Sequence, residues 1–176
     1  MKKLFAVLVC LCMMACAAAA EDVPELNWAD IGTEEILAQG EFQQIETGDL
    51  PAVIYWIPSG LASVDVSGEE GFFKPAALYM TEDQAYSVAV FAFEVAGLEE
   101  YAEMMKSQGG GSNFRNLVIN GVGCICYEVE ADNMECVVYP ITENRILSFS
   151  FAPMNGDEDW DGTKAAIIAS IQPAAE

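Results

Sequence analysis

The chain has 176 residues, 53% of them hydrophobic, with 28 acids against 7 bases and no histidine. Such a length holds one domain of ordinary size, and its apolar content excludes a disordered chain despite a formal net charge of −21. The charge argues against nucleic acid and anionic membranes as partners, and the missing histidine removes the commonest general base, the Ser/His/Asp and Cys/His arrangements and nearly every catalytic zinc site.

Lys2 and Lys3, an uncharged apolar run over residues 4–14, and Ala18-Ala19-Ala20 before Glu21 read as a secretory signal peptide over residues 1–20. The apolar run falls short of the about 20 residues a membrane span needs. A second cut is also legible, because Met13-Met14-Ala15-Cys16 resembles the lipobox of bacterial lipoproteins and makes Cys16 a lipidation candidate. Both routes predict an extracytoplasmic protein, secreted or lipid-anchored at the cell surface. Cleavage after Ala20 removes two lysines and no acid, so the mature charge becomes −23, and three cysteines remain: Cys124, Cys126 and Cys136. An odd number in an exported chain leaves at least one thiol free or paired between molecules.

Residues 21–39 read as a lead-in with a short helix over residues 30–38, and residues 40–176 as a single domain. Strands are expected over residues 40–46 and 52–57, with Thr47-Gly48-Asp49 as their turn. Residues 58–75 are irregular, with Phe72 and Phe73 expected to cover the edge of the core. A hairpin follows over residues 76–81 and 86–95, whose second strand is apolar on both alternating sets and is expected to be buried on both faces.

Residues 98–108 place Leu98, Tyr101, Ala102 and Met105 on one helical stripe, stopped by Gly109-Gly110-Gly111. A strand meander follows over residues 114–119, 122–130, 134–139 and 145–151. Asn120-Gly121 is its strongest turn signal, since both residues tolerate positive φ. A closing helix over residues 157–172 is expected to face Trp160, Thr163, Ile167 and Ile171 inward, with Pro173 ending it. The order predicts an α+β fold with a central antiparallel sheet of about six to eight strands flanked by helices.

Trp56-Ile57-Pro58-Ser59, Gly97-Leu98-Glu99-Glu100-Tyr101, Ile119-Asn120-Gly121, the run from Leu147 to Pro153 and Ala169-Ser170-Ile171 resemble segments of small secreted domains of anaerobic Gram-positive bacteria. The element order is similar to the PsbP-like αβα sandwich, a resemblance that implies a binding or assembly role and supplies no catalytic residues.

Asp157-Glu158-Asp159-Trp160-Asp161-Gly162 repeats the opening of a calcium loop, with Asp157, Asp159 and Asp161 as candidate ligands. The twelfth position, which should carry a bidentate acid, is Ile168. The competing reading, and the favoured one, is a helix cap with an acidic first turn. Cys124 and Cys126 share a face of one strand with Cys136 on the next, but a structural zinc needs four ligands, so they read as buried thiols. Trp28, Trp56 and Trp160 read as core. Carboxylates are numerous enough to form a glycosidase-like pair by number alone.

The reading that follows is an acidic, secreted or surface-tethered binding domain without catalytic activity or cofactor. Its partner is expected to be a cationic protein or peptide. The alternatives are a cell-envelope hydrolase using paired carboxylates and a calcium-binding surface protein.

Overall fold

The computed structural model describes residues 23–47, 50–68 and 74–174. The leader with Cys16, the Gly48-Asp49 turn and the Phe72-Phe73 pair lie outside the described residues. The chain runs β1 (Glu25–Leu26), α1 (Trp28–Ile31), α2 (Glu34–Leu37), β2 (Gly40–Thr47), β3 (Leu50–Pro58), β4 (Ala62–Ser63), β5 (Ala77–Met80), β6 (Ser87–Glu94), α3 (Leu98–Ser107), β7 (Ser112–Ile119), β8 (Val122–Val129), β9 (Met134–Thr142), β10 (Arg145–Ala152), α4 (Glu158–Ala169) and β11 (Gln172–Pro173). Among the described residues no helix is long and apolar enough to cross a membrane.

The single helix expected over residues 30–38 is instead two short ones. Gly32 ends the first, its N–H donating to Trp28 O at 2.7 Å. A Cβ on Gly32 would lie 2.4 Å from the Trp28 ring, which folds back over it. Thr33 then caps the second, its hydroxyl accepting from Ile36 N at 3.3 Å.

Eight strands form the main sheet in the order β1-β7-β8-β9-β10-β6-β5-β4. The short β1 is parallel to β7 and the other neighbours are antiparallel. The β7–β8 turn has Asn120 at φ +48° and Gly121 at φ +78°, the backbone a tight hairpin of this twist requires. The hairpin of β2 and β3 does not join this sheet. It pairs with β11 in a second sheet of order β11-β3-β2.

Between the sheets lies the larger core, where Phe149 of β10 meets Tyr55 of β3 edge to face at 5.2 Å and Ile167 and Ile171 are fully buried. The opposite face of the main sheet carries a smaller core of Tyr127, Cys136, Val138 and Ile146 under Tyr101 of α3.

Further expectations need correction. The closing helix expected over residues 157–172 ends at Ala169, because Gln172 and Pro173 pair with Ile54 and Val53 of β3 as strand β11. The strands covered on both faces are β9, buried from Cys136 to Tyr139, and β10, buried from Ile146 to Phe151, whereas β6 buries Val88 and Val90 but leaves Ala89, Phe91 and Phe93 half-buried. The cause is the placement of α3: its Tyr101 hydroxyl lies 2.9 Å from that of Tyr127 on β8, and it meets β6 through Phe93 at 6.0 Å. In α4 the inward position is Lys164, not Thr163. The Thr163 hydroxyl turns back to donate to Asp159 O at 2.9 Å, while everything from Lys164 to Ile171 is buried.

Candidate functional site

Strand register assembles a charged cluster at one end of the larger core. Glu128 of β8 stands opposite Glu135 of β9, and Arg115 of β7 stands opposite Cys126 on the same face. Two carboxylates directly opposite each other repel, and two cations answer them. The Arg115 guanidinium donates to Glu128 Oε1 at 3.2 Å and to Glu135 Oε1. From α4, Lys164 Nζ lies 3.2 Å from Glu135 Oε2, 3.1 Å from Asp161 Oδ1 and 2.6 Å from Met154 O. Both oxygens of Glu135 are therefore occupied, and Cys126 Sγ lies 3.3 Å from Oε1 as well. A carboxylate so engaged acts as a structural tie. The sequence signal for Lys164 was available in the inward stripe Trp160, Lys164, Ile167 and Ile171, whose spacing keeps helical period better than one passing through Thr163.

Asp157 and Asp161 of the calcium-like motif already have partners. Asp157 is the N-cap of α4, with Oδ1 accepting from Trp160 N at 2.8 Å and Oδ2 from the Tyr86 hydroxyl at 3.2 Å. Asp161 pairs with Lys164, and Asp159 sits in the first helical turn. Ile168 is buried at 7% exposure. Among the described residues no group of three or more Asp, Glu or Cys is placed to hold a metal.

Cys124, Cys126 and Cys136 are free and buried. Cys124 and Cys126 belong to the larger core and Cys136 to the smaller one, so the sheet separates them. Burial pushes the Cys124 thiol up to about 12. It raises Cys126 too, with Glu135 adding to the effect, and Cys136. Neutral thiols of this kind are poor nucleophiles and poor metal ligands.

The tryptophans pack internally. Trp28 meets Phe42 edge to face at 5.5 Å and Trp56 at 6.3 Å. Trp160 stacks on Tyr86 at 4.8 Å and donates from Nε1 to Pro153 O at 2.8 Å.

An open cleft of about 490 Å³ lies where β2 and β4, each the last strand of its sheet, approach one another. Gly40, Glu41 and Gln43 of β2 form one wall, Ala62 and Ser63 of β4 the other, and Ser59, Leu61 and Tyr79 contribute between them. Gln43 Nε2 donates to Glu41 Oε1 at 2.8 Å. The Tyr79 hydroxyl is 2.9 Å from that of buried Tyr55, and burial raises the pKa of both phenols. Among the described residues Glu41 is the one carboxylate that lines the cleft, and no lysine or arginine lines it. The arrangement can accept hydrogen bonds and one positive charge. A glycosidase-type pair needs two carboxyl groups about 5 to 9.5 Å apart, and among the described residues this cleft offers one. Residue-by-residue sequence reading missed the cleft, because its walls come from two sheets whose separation has no local signature.

No protein-family model matches the chain, and no curated protein matches it by sequence. Among solved structures it is similar to the cyanobacterial PsbP (CyanoP) of Synechocystis sp. PCC 6803, with a TM-score of 0.51 and 14% identity over 76% of this chain and 92% of that one. A crystal structure from Bacteroides thetaiotaomicron VPI-5482 gives a TM-score of 0.47 and 18% identity over 78% of this chain, which spans 50% of that one. At 14% identity the likeness to the cyanobacterial PsbP is one of fold, and the chain has a PsbP-like α+β fold.

Proposed function

We propose that this protein is an acidic interaction domain without catalytic activity, exported by its leader and either released or tethered through Cys16, which takes a cationic protein or peptide as its partner. The observation that carries the reading is the cleft between β2 and β4, which among the described residues is lined by a single carboxylate, Glu41, and by no base. The close pair Glu128 and Glu135 offers no alternative centre, being ion-paired to Arg115 and Lys164. The excess of 28 acids over 7 bases favours the same class of partner and speeds its approach. The fold likeness is compatible with this role and lends it no specificity.

The test is capture of polylysine by the immobilised protein at low and high salt, with Glu41→Gln beside the wild type. Binding that weakens with salt and weakens further in the variant supports the reading. No binding at low salt refutes it. Intact mass of the protein recovered from its native cells decides the tether: a chain beginning at Glu21 is released, and one beginning at an acylated Cys16 is anchored.

A further inference from the structure

We infer that the cleft is a strand-addition site, in which an extended cationic peptide pairs its backbone with the outer edge of β2 and sets a basic side chain against Glu41. The inference rests on the proposed role as a binder of cationic partners and specifies how the partner is held.

The edge is suited to it. Among the described residues β2 ends its sheet, pairing on one side only with β3, from Gly40 opposite Pro58 to Thr47 opposite Leu50. It has eight residues, an edge of roughly 26 Å at the usual rise per residue. Natural edges are blunted by shortness, proline, lysine or a bulge. The other terminal strands, β1, β4 and β11, have two residues each, whereas β2 is long and holds neither proline nor lysine. Its register irregularity comes only after Ile45.

Charge selects the occupant. A second copy of this chain would bring Glu41 and Glu46 against an equally acidic surface, and like charges across a strand pair destabilise it. A cationic strand meets no such repulsion. Side chains of an added strand alternate between faces as those of β2 do. Its inner positions would enter the cleft beside Glu41 and Gln43, near Ser59 and Ser63. Its outer positions would lie beside Phe42, which is 37% exposed. The arrangement therefore favours alternating basic and apolar residues, the basic ones inward.

The test titrates the full chain with a capped Val-Lys-Val-Lys-Val peptide by calorimetry. Two further versions are N-methylated at every second amide, in the two opposite phases, so that charge is kept and only one phase blocks the pairing edge. Strand addition predicts that one phase loses roughly tenfold or more in affinity while the other binds like the parent. It also predicts several-fold weaker parent binding in Glu41→Gln, and slowed hydrogen exchange at β2 amides. Equal binding of both phases overturns strand addition but leaves the cationic-partner reading standing, as does capture of polylysine without binding of the parent peptide. Failure of polylysine and peptide together overturns both.

Discussion

Lys164 Nζ lies 3.2 Å from Glu135 Oε2, joining α4 to β9 across 29 residues of sequence, and the lysine is 5% exposed. The ammonium leaves water only because Glu135, Asp161 and the Met154 carbonyl replace its hydration. Lys164→Ala is expected to cost about 3 kcal/mol, because it leaves those acceptors without their cation. Arg115 touches the same carboxylate, but its side chain is 45% exposed, so Arg115→Ala is expected to cost no more than about 1 kcal/mol. Urea unfolding of the two variants checks the order, and equal losses would contradict the role assigned to Lys164.

Asn120 ties three segments together. Its Oδ1 accepts from Trp28 N at 2.8 Å, and its Nδ2 donates to Ala169 O at 2.8 Å and Ile171 O at 3.0 Å. Its φ of +48° is also one that alanine resists. Asn120→Ala is expected to lose about 2 to 3 kcal/mol from the orphaned groups together with the backbone cost. Asn120→Gly relieves only the backbone part. If denaturation shows the glycine variant fully restored, the side-chain ties contribute nothing.

Stability should fall in alkali. Cys124 ionises near its ordinary 9.0 when unfolded and only at about 12 when folded, and burial likewise lifts Tyr139 from 10.0 to about 12. Between those values the folded chain keeps protons that the unfolded chain has released, so stability declines as pH rises. The slope is at most about 1.4 kcal/mol per pH unit for each group. Below pH 9 these groups leave stability unchanged. Urea midpoints should therefore drop through the window from pH 9.0 to about 12; a flat profile there would contradict the burial argument. Thiol reagents should likewise modify Cys124, Cys126 and Cys136 only after unfolding.

Asp157 holds the first turn of α4. Asp157→Ala is expected to cost about 1 kcal/mol, and Asp157→Ser to recover most of it, since serine also caps. Millimolar calcium should leave tryptophan fluorescence unchanged in the wild type. A saturable response that disappears in Asp159→Ala would instead assign these acids to a cation.

The turns at Asn120-Gly121, the amphipathic stripe of α3 and the acidic start of α4 were legible because each depends on neighbours within a few residues. Positive φ, helical period and an N-cap are local properties. The candidate site was not. Glu41 in sequence is one acid among 28, and nothing near it marks a cleft wall whose other side is Ser63.

By itself, the sequence determined the types and most of the bounds of the longer elements and the excess of acids over bases, but not the two-residue strands β1, β4 and β11. Tertiary structure decided the partition of the strands into two sheets, the burial of β9 and β10 instead of β6 on both faces, the place of Lys164 and the opening between β2 and β4. These depend on which surfaces dock, through contacts such as that of Trp28 with Asn120, 92 residues apart. Periodicity states that a face is apolar. Only packing decides what covers it.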